Sequence, residues 1–351
     1  MAANAPSPEG EGLNDWLPMS EPRIVLPAAL DPTAFATRDP RARITALSGE
    51  TMGTTWSVHA IIPADRDPAM IDRDIRVLLG TLVAEMSHWE PASDLCRFNV
   101  ATGWRSLPSD FFTVLEEALR IAALSDGAFD PALGRLVDLW GFGPAPRRDA
   151  PPDPAEIRAV RNLPGWRAID IDPPARRAFQ PGGVALDFSG IAKGHAVDRV
   201  TERLMREGVR HALVEIGGEL RGIGVRPDGQ PWWVAVEPPP GALLPELRIA
   251  LHGLSIATSG DYQRAFEHDG VRYAHSIDPR SGWPIANRVA SVAVVHPRCM
   301  TADAWATALT VLGPEDGRAL ADREGIAARW VMRTDDGLRE GFSAAMAAML
   351  E

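Results

Sequence analysis

"VASVAVVHPRCMTADAWATALTVLG", residues 289–313, carries the transition that decides the fold class. VASVAVVHP reads as a strand, and CMTADAWATALTVLG, residues 299–313, as a helix whose faces are almost entirely apolar. Upstream, WWVAVEP, LRIALHGLSIAT and VRYAHSID are also strand-like, so strands arrive in a run before the helix. Runs of strands between helices favour an α+β fold with largely antiparallel sheet over a doubly wound parallel one.

The helix carries Asp303 and Thr307 one turn apart. Positions i and i+4 stack on one face, so a carboxylate and a hydroxyl can converge on one spot. Two readings fit that spacing. Either the oxygens share a ligand, or Asp303 complements the helix dipole while Thr307 bonds back to a carbonyl.

A chain of 351 residues can bury a sizeable core in one large or two ordinary domains. Its composition, 45% hydrophobic and 24% charged, is that of a globular protein. The net charge of -11, with no run of Lys or Arg, sets nucleic acid aside as a partner. Cys96 and Cys299 allow one disulfide but do not require it, and no CxxC or HxxH spacing suggests zinc. The opening MAANAPSPEGEGLNDWLP lacks a basic region followed by an apolar stretch, so the chain reads as soluble, without an export signal and cytoplasmic as encoded.

Residues 1–44, rich in Pro and Ala, read as a leader or loosely attached arm, with the folded domain over 45–351. RITALSGETMGTTWSVHAII reads as two strands around a glycine turn. A helix follows from about Pro68, burying Ile71, Ile75, Leu78, Leu82 and Met86, and another spans 109–124 with Ser109 as N-cap and Phe111, Leu115, Leu119 and Ala122 on its buried face. GVALDFSG reads as a strand, IAKGHAVDRVTERLMREG as a helix ended by Gly208, and HALVEIGGELRGIG as a hairpin.

The common nucleotide and hydrolase fingerprints fail. GIGVRPDG has Pro227 at the third glycine of a dinucleotide motif, no GxxxxGK[ST] occurs, and DFSGIAKG lacks the first glycine of a GxSxG elbow. ALDFSGIAKG remains as a glycine turn that opens a helix and delivers Lys193 near its start. Exposed N–H groups with an ammonium suit a diphosphate, but an ordinary turn with a solvent-facing lysine fits as well. In YAHSIDPRSGWP, His275 is either a general base or a hydrogen-bonded structural residue. Trp89, in MSHWEPASDLCRFN, could stack on a planar ligand or simply pack.

Taken in order, TMGTTW, MSHWEPASDLCRFN, DGAFDPALGRLVDLWGFGP, LDFSGIAKGHAVDRV, LVEIGGELRGIG, IATSGDYQRAFEHDGVRYAHSIDPRSGWPI and CMTADAWATALTVLG resemble the signature blocks of the FAD:protein FMN transferase, or ApbE, family. The resemblance spans about residues 50–345. It implies an ApbE-like fold with an active-site cleft between two halves. It also implies Mg²⁺-dependent transfer of FMN from FAD to a threonine of an acceptor flavoprotein through a phosphoester, with release of AMP. By the family pattern Asp303, Thr307 and the Gly190 carbonyl hold Mg²⁺. FAD contacts fall at Met52, Trp89, Ala128, Phe129, Asp130, Asp187, Lys193 and Ile277, and His275 takes the proton from the acceptor threonine.

Two departures lie outside the expected metal carboxylate. Ser281 stands where the family often has Thr in its DPxTG turn, and DFSG replaces the commoner DLGG. Many relatives are exported and lipid-anchored and act on subunits of membrane redox complexes, which would place the chain in the periplasm at a membrane; the start carries no lipobox cysteine. The resemblance leaves two alternatives to the transferase: a Mg²⁺-dependent FAD pyrophosphatase, with water as nucleophile, and a non-catalytic FAD carrier.

Overall fold

A computed structural model describes residues 22–241, 243–261 and 264–351. Its centre is an eight-stranded sheet of β1 (Thr45–Thr51), β2 (Thr54–Ala60), β3 (Ala212–Ile216), β4 (Glu219–Ile223), β5 (Leu254–Gly260), β6 (Val289–His296), β7 (Ala327–Thr334) and β8 (Gly337–Phe342). The strands lie side by side in chain order, and each pairs antiparallel with its neighbours. Helices are inserted into this meander: α1 (Pro68–Met86), α2 (Ser109–Leu124) and α3 (Ala192–Arg206) between β2 and β3, and α4 (Cys299–Leu312) between β6 and β7. The fold is α+β with mainly antiparallel sheet, as the sequence predicts.

β6 shows why its sequence does not alternate. Val292 and Val294 join the core under the helices, whereas Ala293 and Val295 join a second core on the opposite face. A strand covered on both faces needs apolar residues at every position. The second face is covered by a small sheet in which Arg23–Val25 pairs parallel with Leu247–Leu251, itself antiparallel to Trp232–Val236.

That sheet bears on the expected leader. Residues 1–21 of it lie outside the described residues, but Val25 is fully buried, and a short helix, Pro32–Ala36, follows. His252 Nε2 accepts the Asp31 N–H at 2.9 Å. Residues 22–44 are therefore strapped to the domain; a three-residue strand is too short to show periodicity.

Four local expectations change. LRIALHGLSIAT divides between the two sheets. On α1 the buried residue is Leu79, with Leu78 half-buried. Ser109 is the first residue of α2, not its cap; the Phe111 N–H is taken by Glu85 Oε2 of α1 at 3.1 Å. GVALDFSG forms no strand beyond a single bridge, Ala185 to Leu133. Its backbone is satisfied otherwise: Asn99 accepts the Leu186 N–H at 2.7 Å and donates to the Leu186 carbonyl at 3.0 Å, and the Asp187 N–H reaches the Pro131 carbonyl at 2.8 Å. A side-chain amide thus supplies what a neighbouring strand would have supplied.

Both cysteines are free, and no described helix is long and apolar enough to cross a membrane.

Candidate active site

Neither α3 nor α4 has a side-chain N-cap of its own. Each is capped by the other. Asp198 of α3 accepts the Cys299 and Met300 N–H groups that open α4, both at 3.0 Å, and is itself held by Arg221 at 2.5 Å. In return Asp303 Oδ2 of α4 accepts the Gly194 N–H in the first turn of α3 at 3.0 Å. Helix starts are partially positive, so each carboxylate meets a favourable field. The approach depends on Gly194: a Cβ there would collide with the Cys299 carbonyl and lie 2.8 Å from Asp303 Cβ.

One turn along α4, Thr307 faces the other end of the same loop. A Cβ on Gly190 would lie 2.8 Å from Thr307 Oγ1 and 3.4 Å from Phe129 Cε2. From Cys299 to Val311, Thr307 alone is not buried. The back-bond to a carbonyl considered for it is made instead by Thr310, to Ala306 at 2.7 Å. Asp303 and Thr307 therefore both address the Gly190–Gly194 turn, despite a separation of more than 100 residues in the chain.

Lys193 lies in that turn. Its Nζ is 2.5 Å from Glu219 Oε1, and burial, which pulls the ammonium down, is outweighed by Glu219 and Asp303, so its pKa is raised. Burial pushes the Asp303 carboxyl up, against Lys193 and the Gly194 N–H. Two turns flank the lysine. A Cβ on Gly217 would lie 2.8 Å from Thr54 Cγ2 and 3.3 Å from Lys193 Cδ, which places the β1–β2 turn, where Met52 adopts φ 51°, beside the β3–β4 turn. Glu219 is a site residue that the sequence reading missed. Its signal was a carboxylate placed directly after a double glycine at the tip of the hairpin.

The expected flavin contacts form a chain from here outward. Phe129 abuts Gly190, and its N–H is fixed by Ser125 Oγ at 3.1 Å. Asp130 accepts the Ala132 N–H at 2.7 Å; burial pushes its carboxyl up to about 6, against that bond and Arg167. Ala128 is buried beside them in sequence. Asp187 Oδ1 accepts the Ser189 N–H at 2.7 Å and lies 3.5 Å from His88 Nδ1. Trp89, 53% exposed, leans on His88 with ring centroids 5.4 Å apart.

His275 and Ile277 belong to a different element. They follow the hairpin of Ala265–His268 and Val271–Ala274. The His275 ring contacts Phe142 edge-on at 6.4 Å, and Ile277 is buried with Leu136, Trp140 and Ile157. His275 is thus joined to the turn through the 129–142 segment, and its hydrogen bonds go to Arg264 rather than to Lys193 or Asp303. Because Nδ1 lies 3.1 Å from the Arg264 carbonyl, it must carry the proton, which leaves Nε2 with its lone pair. Burial lowers the pKa of this ring. A neutral imidazole with a free Nε2 can accept a proton.

Among the described residues no three His, Cys, Asp or Glu side chains converge as a metal centre. The Asp303 carboxylate, Thr307 hydroxyl and Gly190 carbonyl are instead mixed hard oxygen donors, the kind that suits Mg²⁺ rather than zinc.

The ApbE family model matches residues 52–330. The chain is 41% identical to a FAD:protein FMN transferase of Vibrio cholerae serotype O1, over 87% of this chain and 92% of that one. It is 36% identical to the protein of that name from Haemophilus influenzae, over 88% and 92%. The crystal structure of Pseudomonas stutzeri flavinyl transferase ApbE in its apo form superposes with TM-score 0.82 at 38% identity, covering 88% of this chain and 97% of that one. With the fold, the ordered motifs and these relatives in agreement, the chain belongs to the ApbE family.

Proposed function

We propose that this chain transfers the FMN half of FAD to a threonine hydroxyl of an acceptor protein, with release of AMP and dependence on Mg²⁺. The observation that carries the reading is the convergence of Asp303 and Thr307 on the Gly190–Gly194 turn beside Lys193. A diphosphate needs positive charge and hard-oxygen metal ligands at one place, and this turn offers both.

In this reading Asp303, Thr307 and the Gly190 carbonyl hold the cation, which when bound draws electron density from the diphosphate and steadies the charge on departing AMP. Lys193 grips the phosphate oxygens. Met52, Trp89, Ala128, Phe129, Asp130, Asp187 and Ile277 form the walls that orient the flavin nucleotide, with Trp89 available to stack on a ring. His275 Nε2 accepts the threonine proton as the hydroxyl oxygen attacks the FMN-side phosphorus; the new phosphoester bond forms while the bond to AMP breaks. Excluding water from that attack falls to the docked acceptor, an accessory subunit of a membrane redox complex or a soluble flavoprotein. The catalytic unit is residues 45–351, and residues 22–44 brace it.

The decisive experiment incubates the chain with FAD, Mg²⁺ and threonine-bearing acceptors. Transfer yields an acceptor heavier by one FMN, with AMP in equal amount. AMP and free FMN produced at the same rate with or without acceptor would replace the transferase by a pyrophosphatase.

A further inference from the structure

Glu219 has no part in the chemistry above, yet it is the most deeply buried charge at the turn, with its side chain 3% exposed. It follows Gly217 and Gly218, both left-handed at φ +62° and +98°, which turn the chain so that the carboxylate points back toward Lys193. Oε1 takes the ammonium, while Oε2 is buried without a hydrogen-bond partner. A half-satisfied buried ion pair is a poor device for stability, since an apolar pair of equal volume often does as well or better. Its placement therefore calls for a functional account.

The lysine supplies one. Its stem passes Gly217 in the slot between the β1–β2 and β3–β4 turns, so the stem is guided by shape and the head by Glu219. A free lysine head samples many rotamers, and ordering it before a ligand arrives removes that cost from the binding step. Resting on the FAD reading of the site, we propose that Glu219 is a positioning residue that holds the Lys193 ammonium over the Gly190–Gly194 turn and thereby sets FAD affinity without touching FAD. Asp303 belongs to the same electrostatic unit: burial pushes the Glu219 carboxyl up, Lys193 draws it down, and Asp303 raises it again.

A double-mutant cycle tests this, with FAD binding followed by flavin fluorescence alongside transfer kinetics. Glu219→Ala is expected to weaken FAD binding about tenfold and to raise KM more than it lowers kcat. Glu219→Gln, which keeps an acceptor for the ammonium, should recover most of the loss. In a Lys193→Ala background, neither change should weaken FAD binding further. Equal weakening in both backgrounds would show that Glu219 acts on the fold at large and would overturn the proposal. Should Glu219→Ala not fold, the same cycle with Glu219→Gln decides, with a loss of about twofold expected beside Lys193 and none without it. A wild-type chain that binds no FAD overturns the site reading and this inference together; one that binds FAD and is indifferent to position 219 overturns the positioning role alone.

Discussion

Asp303 sits between two helices that cap each other, whereas His275 sits at the end of a two-stranded hairpin, bonded to the hairpin's own Arg264 carbonyl and edge-on to Phe142, while Phe266 and Tyr273 of the hairpin pack on Trp140. Around Asp303 nearly every neighbour is buried, and adding one methyl group at Gly194 produces a collision. Around His275 burial is mixed, with Ala274 and Ile277 buried but Tyr273, Ser276 and His275 itself half-buried, and the rings of Phe266 and Tyr273 stack across the hairpin at 5.2 Å. Under the proposed function the contrast matches what each group would meet. A cation ligand has to be held to within a few tenths of an ångström, which close packing provides. Under the same reading, a base that takes its proton from another protein gains from standing at the end of a hairpin that the acceptor can reach.

Substitutions can break this contrast at either end. The largest effect is expected from Asp303→Ala, which should lower the transfer rate about 10³-fold and shift its Mg²⁺ dependence; an unchanged dependence would remove Asp303 from the cation site. His275→Ala should lower the rate about 10²-fold while leaving the melting temperature within error, because the half-buried ring contributes one hydrogen bond to Arg264 and an edge contact with Phe142. Its pH profile sharpens the assignment. Burial lowers the His275 pKa below 6.5, so the neutral form prevails at pH 7, and the rate should fall as the pH drops through that lowered value. A rate that climbs steadily between pH 7 and 9 would point to a different base.

Asp198→Ala should lower stability, which His275→Ala leaves unchanged. It leaves the Cys299 and Met300 N–H groups and Arg221 without their carboxylate, with an expected loss of about 1–3 kcal/mol in denaturant unfolding. An unchanged stability would mean that the mutual capping is incidental. The smallest effect is expected from Asp130→Asn. A carboxyl raised from 3.8 to about 6 binds its proton more tightly in the folded state, so the penalty of ionising it grows as pH rises between those values and is complete above them. The amide removes the penalty and should stabilise the chain at pH 8 by up to about 2 kcal/mol, with little change at pH 4. Equal gains at both pH values would show that the carboxylate is not the source.

The strands and long helices are legible in the sequence because burial imposes periods of two and 3.6 on the apolar positions. Where the period fails, so does the reading. GVALDFSG has the composition of a strand, but its partner is the side chain of Asn99, 87 residues before Leu186, and no local pattern announces such a bond. The cap of α2 was missed for the same reason, since Glu85 reaches it from another helix. Arg23–Val25 is too short for any periodicity, and its pairing with Leu247–Ile249 is a long-range event.

The candidate site divides along the same line. The spacing of Asp303 and Thr307 is a property of one helix, so a shared face could be inferred from four residues of separation, and the ordered motifs pointed to the family. That Gly190 meets Thr307 and Gly194 meets Asp303, that Asp198 returns the cap, and that Glu219 stands behind the lysine depended on three-dimensional packing. Local periodicity reports which face of an element is apolar; which polar groups face one another across the core is a matter of register between elements far apart in the chain, and close packing at glycines such as Gly190 and Gly194 settles that register.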